Sequence, residues 1–324
     1  MGRGFLAPDG VRGLVAERFG TDRRVTRLDR LTGGSKKGVY RLALDDGTTA
    51  VLYRWSPAEN FWPAPPPTVP DDPFTDASGA DLFAASHAAL TAAGVRVPRL
   101  LLLDRTRRHV DADVALVEDA GGRTLEAVVA DEPDAVALAR FRDELRRMRC
   151  ATSDSWGRVG DLAAGTAPQA RRTEDVVADR ASVHLAAAAE RDGRIAAAAD
   201  RIAAHLRGLR AAVRPRRRFS LVHGELGPDH VLVTAAGEPV LIDIEGLAYF
   251  DAEWEHAWLA MRFGDAYRVL RPDGLDPARL ALFEYAQALS LVEGPLRIAA
   301  TDFPDRQWML DLAEHHIGRA LAAL

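Results

Sequence analysis

The stretch 219–246 reads FSLVHGELGPDHVLVTAAGEPVLIDIEG and gathers two carboxylates and an imidazole in a short span: Glu225, His230 and Asp243. The runs HVLV and PVLID flank the turn TAAGE, a pattern that predicts a β-hairpin. His230 and Asp243 stand symmetrically about a centre between Ala236 and Gly237, so a hairpin centred there sets them opposite each other. A carboxylate facing an imidazole at the open end of a hairpin can hold a divalent cation. Glu225 lies five residues before His230, in the loop that enters the hairpin.

A second unusual cluster lies at 31–42, LTGGSKKGVYRL. Lys36 and Lys37 are the only lysines among 42 basic residues, and they stand among Gly33, Gly34, Ser35 and Gly38. A chain that otherwise chooses arginine places its two flexible ammonium groups in one glycine-rich turn.

The elements that must position these residues follow from periodicity. Residues 25–55 read as three short strands, VTRLDRL, GVYRLAL and TTAVLYRW, joined by TGGSKK and DDG in an antiparallel meander. A proline-rich loop, SPAENFWPAPPPTVPDDP, cannot enter a sheet interior. GADLFAASHAALTAAG has helical spacing, VRVPRLLLL reads as a strand, and DVALVEDAGGRTLEAVV as a strand, a Gly-Gly break and a helix start. Thereafter the pattern is mostly helical. DAVALARFRDELRRMRC is expected to set Val136, Leu138, Phe141, Leu145 and Met148 on one face. SVHLAAAAERDGRIAAAADRIAAHLRGLRAAV reads as Ala-rich helix, and 277–324 as helical. Strands first and helices later imply a small β-rich lobe, 1–119, and a larger α-rich lobe, 120–324, that join near Val117 to Gly122.

Composition narrows the function classes. The chain has 324 residues, 48% of them hydrophobic and 27% charged, as in ordinary soluble proteins. A single cysteine, Cys150, excludes an internal disulfide and suggests a reducing compartment. No apolar run approaches a membrane span, and MGRGFLAPDGVRG lacks the apolar core of a signal peptide, so no membrane partner and a cytoplasmic protein are expected. From His223 onward 17 acidic residues face 7 arginines, a net charge of −10, which argues against a nucleic-acid surface there and suits metal ions or a cationic ligand. The run RPRRR at 214–218 has no aromatic interleaving and reads as a solvated connector.

The segment around Glu225 resembles the catalytic core of the aminoglycoside phosphotransferase and choline kinase family, relatives of the protein kinases. The family's loop H-G-D-x-x-x-x-N is matched by HGELGPDH, with His223, Gly224, Glu225 and His230, and its metal-binding strand end by Asp243 in IDIEG. FDAEWEHAWL looks like the family's G-D-P-A-W-D-L-A, with Asp251, Trp254 and Glu255 in place. LTAAGVRVPRLLLLD and ALVEDAGGRTLEAVV resemble the segment after the first-lobe helix and the interlobe connection. Two positions depart from the pattern: Glu225 replaces an Asp and His230 an Asn, and macrolide kinases, which resemble this loop in other respects, also have a His at this place.

The resemblance implies an α+β, bilobal, protein-kinase-like fold with a small antiparallel β-rich N-lobe and a larger helical C-lobe bearing the catalytic hairpin. It implies Glu225 as the catalytic carboxylate that orients and deprotonates the accepting hydroxyl, His230 and Asp243 as ligands of Mg²⁺, with Mn²⁺ tolerated, and ATP or GTP as donor. Nucleotide contacts would come from Gly33, Gly34, Ser35, Lys36 and Lys37 in the flap, Arg54 on the following strand, and Val117 and Glu118 in the connection. The family's phosphate-binding lysine on that strand is missing; Tyr53 or Arg54 falls near its place, and Lys36 or Lys37 is expected to take over its work. Glu245 is either a second metal ligand or a hairpin-exit carboxylate, His223 braces the loop, and Glu255 supports it from a helix. Asp81 reads as a surface carboxylate more than a partner of the phosphate-binding cation. Trp254, Trp258, Phe263 and Tyr267 have the spacing of core, with an acceptor pocket as the other reading. The expected partner is a small-molecule hydroxyl acceptor, an antibiotic or other natural product, taken by a monomer or homodimer; a metabolite kinase and a nucleotide-binding pseudokinase are the alternatives.

Overall fold

The computed structural model describes residues 4–31, 35–62, 69–132, 136–166 and 171–324. The first half is built on strands β1 (Val25–Arg30), β2 (Gly38–Leu44), β3 (Thr49–Trp55), β4 (Leu100–Asp104) and β5 (Asp113–Glu118). They form one antiparallel sheet in the order β1-β2-β3-β5-β4. Alternation along the strands gives the sheet two different faces. Tyr40, Leu42, Ala50, Leu52, Val114 and Leu116 pack outward against Leu14 and Val15 of helix α1 (Arg12–Phe19). Val51, Tyr53, Ala115 and Val117 face inward, toward Phe83 and Leu90 of α2 (Ala80–Ala92) and toward the second half of the chain.

That second half is helical: α3 (Leu125–Asp131), α4 (Val136–Cys150), α5 (Val159–Ala163), α6 (Thr173–Ala189), α7 (Gly193–Ala212), α8 (Ala252–Phe263), α9 (Tyr267–Leu270), α10 (Pro277–Ile298) and α11 (Arg306–Ala322). Two small sheets lie among them. Strands β10 (Val231–Val233) and β11 (Pro239–Leu241) form the expected hairpin, extended by β6 (Arg123–Thr124). The other sheet, which the sequence patterns did not reveal, runs β7-β9-β12-β8 through β7 (Thr152–Ser153), β8 (Gly157–Arg158), β9 (Phe219–Val222) and β12 (Ala248–Phe250). Strands of two to four residues carry too little periodicity to be read. The fold is thus a mixed α+β, kinase-like arrangement of an antiparallel N-terminal sheet and a helical C-terminal half.

Three local expectations change. The Ala-rich stretch breaks into α6 and α7 because Asp192 caps a new helix, its side chain accepting from the backbone N–H of Arg194 and Ile195. On α4, Leu138, Phe141, Leu145 and Met148 are buried but Val136 is 68% exposed. Two residues before Leu138 correspond to roughly 200° of helical rotation, which puts Val136 on the opposite side. The proline-rich segment does more than connect β3 to α2. Val69 lies in the helical core, Asp72 pairs with Arg180, and Phe74, just past it, stacks on Trp254 with ring centroids 4.4 Å apart, so its described parts form a strap on the helices. No described helix is long and apolar enough to cross a membrane.

Candidate active site

The hairpin forms the floor of the site, with a register different from the expected one. Val231 pairs with Leu241, Leu232 with Val240 and Val233 with Pro239, and Thr234 N–H donates to Glu238 O. The loop therefore has three residues, Ala235 to Gly237, with Gly237 in the left-handed region at φ 74°. Its centre falls on Ala236, and His230 faces Ile242, whose N–H donates to the His230 carbonyl at 3.0 Å. Asp243 is not opposite His230, as a two-fold centre between Ala236 and Gly237 would require. It lies one residue further on, itself left-handed at φ 61°, and turns the chain into the short 3₁₀ helix Ile244–Gly246. That turn brings the carboxylate back: Asp243 Oδ2 is 3.7 Å from His230 Nε2.

The His230 ring has a defined tautomer. Nδ1 lies 2.9 Å from the Glu225 carbonyl oxygen, which can only accept, so Nδ1 carries the proton. The other ring nitrogen, Nε2, lies between Asp243 Oδ2 and Asp229 Oδ2 at 3.7 and 3.6 Å. Asp229 is anchored by Arg262 at 2.7 Å. Burial works to raise the Asp229 pKa, but His230 and Arg262 outweigh it and hold the group below its ordinary value. The Glu225 side chain is exposed, at the rim of this loop.

Above the floor lies Lys37, immediately before β2. Its side chain is 8% exposed, and Nζ donates to Asp243 Oδ1 at 2.6 Å and to Glu245 Oε1 at 2.5 Å. The Trp55 indole N–H also donates to Glu245 Oε1, at 3.2 Å, and Nζ is 5.0 Å from the centroid of the Tyr53 ring. Burial disfavours the ammonium, yet Asp243 and Glu245 prevail and raise its pKa above the ordinary lysine value. In turn Lys37 first, and His230 after it, depress the Asp243 carboxyl well below the usual range against the effect of burial.

Strand parity settles which β3 residue faces the cleft. Tyr53 and Trp55 share the inner face, whereas Arg54 lies on the outer face with Ala50 and Leu52. Arg54 donates to the Gly4 carbonyl at 2.8 Å and to Glu59 at 3.4 Å, so the expectation that it joins Lys36 and Lys37 at the phosphates is corrected. Glu59, fully buried, is already shared with Arg30 and Tyr40.

The loop 223–227 is held from below. Gly224 has φ 99°, and a Cβ there would meet Gly246 O at 2.9 Å and Phe74 Cδ1 at 3.0 Å, so only glycine fits without displacement. Glu255 of α8 accepts from the backbone N–H of His223 and of Gly224, and the Trp254 indole donates to Gly224 O at 2.8 Å. Burial pushes the Glu255 carboxyl up to about 7, despite these donors. His223 donates from Nε2 to Ile242 O at 2.9 Å, and burial, together with the neighbouring His230, lowers it to about 4. Both residues brace the loop in this structure. Asp251, at the start of α8, is pushed up to about 6 by burial although it accepts from Arg279 and Thr173, each at 2.5 Å.

Other sequence candidates are more dispersed. Gly33 and Gly34 lie outside the described residues. Ser35 accepts from the Trp62 indole at 2.9 Å, and Lys36 Nζ lies 5.3 Å from the same ring, on the strap rather than at the carboxylates. Val117 is buried in β5 against Val51, and the Glu118 carboxylate accepts from Arg99 N–H at 3.1 Å. Asp81 pairs with Arg105 on the surface at 2.7 Å. In the arginine run, Arg216 makes a bidentate pair with Glu253 at 2.6 and 2.9 Å, so the connector is partly tied down. Trp254, Trp258 and Phe263 are buried in the core. Glu245, left between two readings by its sequence position, is 4% exposed, and its Oε2 has no partner among the described residues. Trp55 and Trp62 carried no sequence signal beyond their type. Among the described residues no three His, Cys, Asp or Glu side chains already stand together as a metal site.

Two hollows lie on the described surface away from these side chains. One of about 350 Å³ is lined by Asp71, Asp72, Asp76, Asp161 and Arg158, on the strap to either side of Phe74. Another of about 660 Å³ lies behind the hairpin turn, lined by Arg96, Arg140 and Glu238 among others and by none of the cleft residues.

With this geometry in place, comparison with known proteins gives a consistent picture. The sequence profile described as "Phosphotransferase enzyme family" matches residues 29–291. No curated protein matches the chain by sequence. Among solved structures, a thermostable mutant of aminoglycoside phosphotransferase APH(4)-Ia, in ternary complex with AMP-PNP and hygromycin B, superposes with a TM-score of 0.64 at 18% identity, covering 97% of this chain and 100% of that one. The GDP and kanamycin complex of APH(2")-IIia gives 0.61 at 16% identity, with 96% and 97% covered. A protein assigned as a fructosamine-3-kinase from Thermobifida fusca gives 0.54 at 20% identity, with 96% and 99% covered.

Proposed function

Because this chain belongs to the phosphotransferase enzyme family and is a kinase of small molecules, we propose that it transfers the terminal phosphoryl group of ATP or GTP to a hydroxyl of an antibiotic or other natural product. The observation that carries this reading is the Lys37 ammonium clasped by Asp243 and Glu245 beneath the flap. It is a carboxylate pair that already holds a cation, and that cation ends a glycine-rich stretch whose composition suits phosphate.

In this reading the acceptor hydroxyl oxygen attacks the terminal phosphorus, its proton passes to Glu225, and the bond to the bridging oxygen breaks to release the nucleoside diphosphate. Glu225 is exposed at the rim, where an acceptor can reach it. Lys37 supplies the positive charge that a strand lysine gives elsewhere, since Tyr53 occupies the inner face of β3.

The donor set fits a magnesium ion. Asp243 and Glu245 already enclose a cation, Glu245 Oε2 is buried with no partner among the described residues, and His230 Nε2 lies 3.7 Å from Asp243. These three residues would hold the metal, and Arg262 would steady the site through Asp229. When bound, the ion would neutralise charge on the phosphates. Imidazole in the set extends tolerance to Mn²⁺.

Two features support a cationic acceptor such as an aminoglycoside or a peptide antibiotic. The chain from His223 onward has a net charge of −10, and four aspartates line the hollow on the strap. The resemblance of HGELGPDH to macrolide kinases keeps that class in the test, with nucleoside antibiotics.

The experiment is a mass-shift screen of these antibiotic classes with both nucleotides and Mg²⁺, repeated with Glu225→Gln. A product heavier by one phosphate group, formed by the native protein and lost in Glu225→Gln, supports the reading. Phosphorylation confined to sugars or amino alcohols would move the acceptor to metabolites. Nucleotide binding without metal dependence or turnover would make the protein a pseudokinase.

A further inference from the structure

The Lys37 ammonium and a divalent cation would draw on the same two carboxylates. Nζ lies 2.6 Å from Asp243 Oδ1 and 2.5 Å from Glu245 Oε1, in a pocket that leaves the lysine side chain 8% exposed. A magnesium ion binds carboxylate oxygen at roughly 2.0–2.1 Å. Set on the two oxygens that Nζ leaves, Asp243 Oδ2 beside His230 and the unpartnered Glu245 Oε2, it would share both carboxylates with the ammonium, and two neighbouring cations on one pair weaken each other's hold.

We propose that Lys37 is the resident cation of the Asp243–Glu245 pair, and that it competes with a divalent metal for that pair until the ammonium moves away. The proposal rests on the phosphotransferase reading for the identity of the incoming metal. It goes beyond that reading by making one side chain both the metal's competitor and the phosphates' partner.

Three further observations favour exchange over a permanent salt bridge. Lys37 stands at the end of the glycine-rich turn rather than mid-strand, so its backbone belongs to the flap while its ammonium rests on the floor. Its two carboxylates carry one charge more than the ammonium neutralises, and Glu245 Oε2 is buried with no partner among the described residues. The site therefore accommodates a doubly charged ion better than a singly charged one. Finally, Lys36 is engaged at the Trp62 ring, 5.3 Å from its centroid, so the two adjacent lysines occupy different places. A metal–nucleotide complex provides phosphates for the displaced ammonium, whereas metal alone provides none. The protein should consequently take up metal with nucleotide and scarcely without it.

The test is Mn²⁺ binding to the nucleotide-free protein, followed by electron paramagnetic resonance, for the native chain, Lys37→Met and Lys37→Arg. Lys37→Met is expected to bind Mn²⁺ at least tenfold more tightly than the native protein, while Lys37→Arg stays close to native because the competing charge remains. Adding Glu245→Gln to Lys37→Met should cancel the gain. Circular dichroism confirms that each variant is folded, and Lys37→Gln, which also removes the charge, replaces Lys37→Met if that variant does not fold. A folded, charge-free variant with native or weaker Mn²⁺ affinity overturns the exchange, whatever the protein phosphorylates. Conversely, a tenfold gain in a protein that turns over no acceptor upholds the competition and removes the phosphotransfer reading alone.

Discussion

Lys37 and Glu245 are 208 residues apart in sequence, yet Nζ of the first lies 2.5 Å from Oε1 of the second, and the contact joins the flap of the β-rich half to the floor of the helical half. Trp55 donates to the same carboxylate oxygen, so β3 and the flap meet the hairpin exit at one atom. A buried ion pair is weak evidence of stability in itself, because desolvation offsets much of the attraction. At the junction of two halves it is better explained as a working part.

The two lysines are predicted to differ sharply in consequence. Lys37→Met should lower kcat/KM by about 100-fold or more, the scale of losing one charged donor at a developing negative charge. Lys36→Met removes a cation–π contact with Trp62 and should cost about fivefold at most. Steady-state kinetics on the acceptor found in the screen measures both; equal losses would contradict the assignment of separate places.

Gly224→Ala is expected to destabilise the protein by about 1–3 kcal/mol, the cost of forcing a side chain into a left-handed backbone. The added Cβ would lie 2.9 Å from the Gly246 carbonyl, which is backbone and cannot turn aside as a side-chain end can. Chemical denaturation gives the number, and turnover should fall further than stability because the displaced loop carries Glu225. An alanine variant of native stability and activity would refute this account of the loop.

Glu255 makes a pH prediction with a definite sign. Its folded-state pKa is raised to about 7 from an ordinary glutamate value, so between those limits the folded protein binds a proton that the unfolded chain does not. Stability from this group is therefore complete at the acidic end of the window and declines as pH rises through 7. Subtracting Glu255→Gln from native should isolate a slope of at most about 1.4 kcal/mol per pH unit. Unfolding free energies measured from pH 5 to 9 on both proteins would show it, and a difference that is flat or rises with pH would count against the assignment. His223 acts in the opposite sense: lowered to about 4, it contributes stability that is lost as pH falls from its ordinary value toward 4.

Arg279→Met tests the buried charge network behind the site. Arg279 is 1% exposed and donates to Asp251 at 2.5 Å, and its loss leaves Asp251 and Glu174 buried with a cation removed. The expected cost is about 3–5 kcal/mol, with Asp251 protonated more readily than in the native protein. Thermal or urea denaturation at neutral pH decides, and a cost below about 1 kcal/mol would mean that the network relaxes.

Much of this molecule is written in local pattern. The meander of β1, β2 and β3, the α2 helix ending before Gly94, the hairpin around TAAGE and the buried face of α4 all follow from periodicity and turn residues, because each is decided by neighbours within a few positions. The candidates Glu225, His230 and Asp243 could be picked out for the same reason: they share one loop and one hairpin. Where the register slipped, the cause was a single choice between a two-fold and a three-residue turn, which TAAGE permits equally and the left-handed Gly237 resolves.

What the fold alone decided depends on which surfaces meet. Alternation says that Tyr53 and Arg54 face opposite ways, but which one faces the cleft is fixed by α1 and Glu59 covering one side of the sheet and the hairpin covering the other. Glu245 was undecided until a lysine from the far end of the chain arrived beside it, and the proline-rich segment was known only to avoid a sheet interior until Phe74, just beyond it, was found under the loop 223–227. Sequence determines the faces each element offers; the long-range packing of those faces selects which charges become neighbours, and it is that selection that turns two separated motifs into one site.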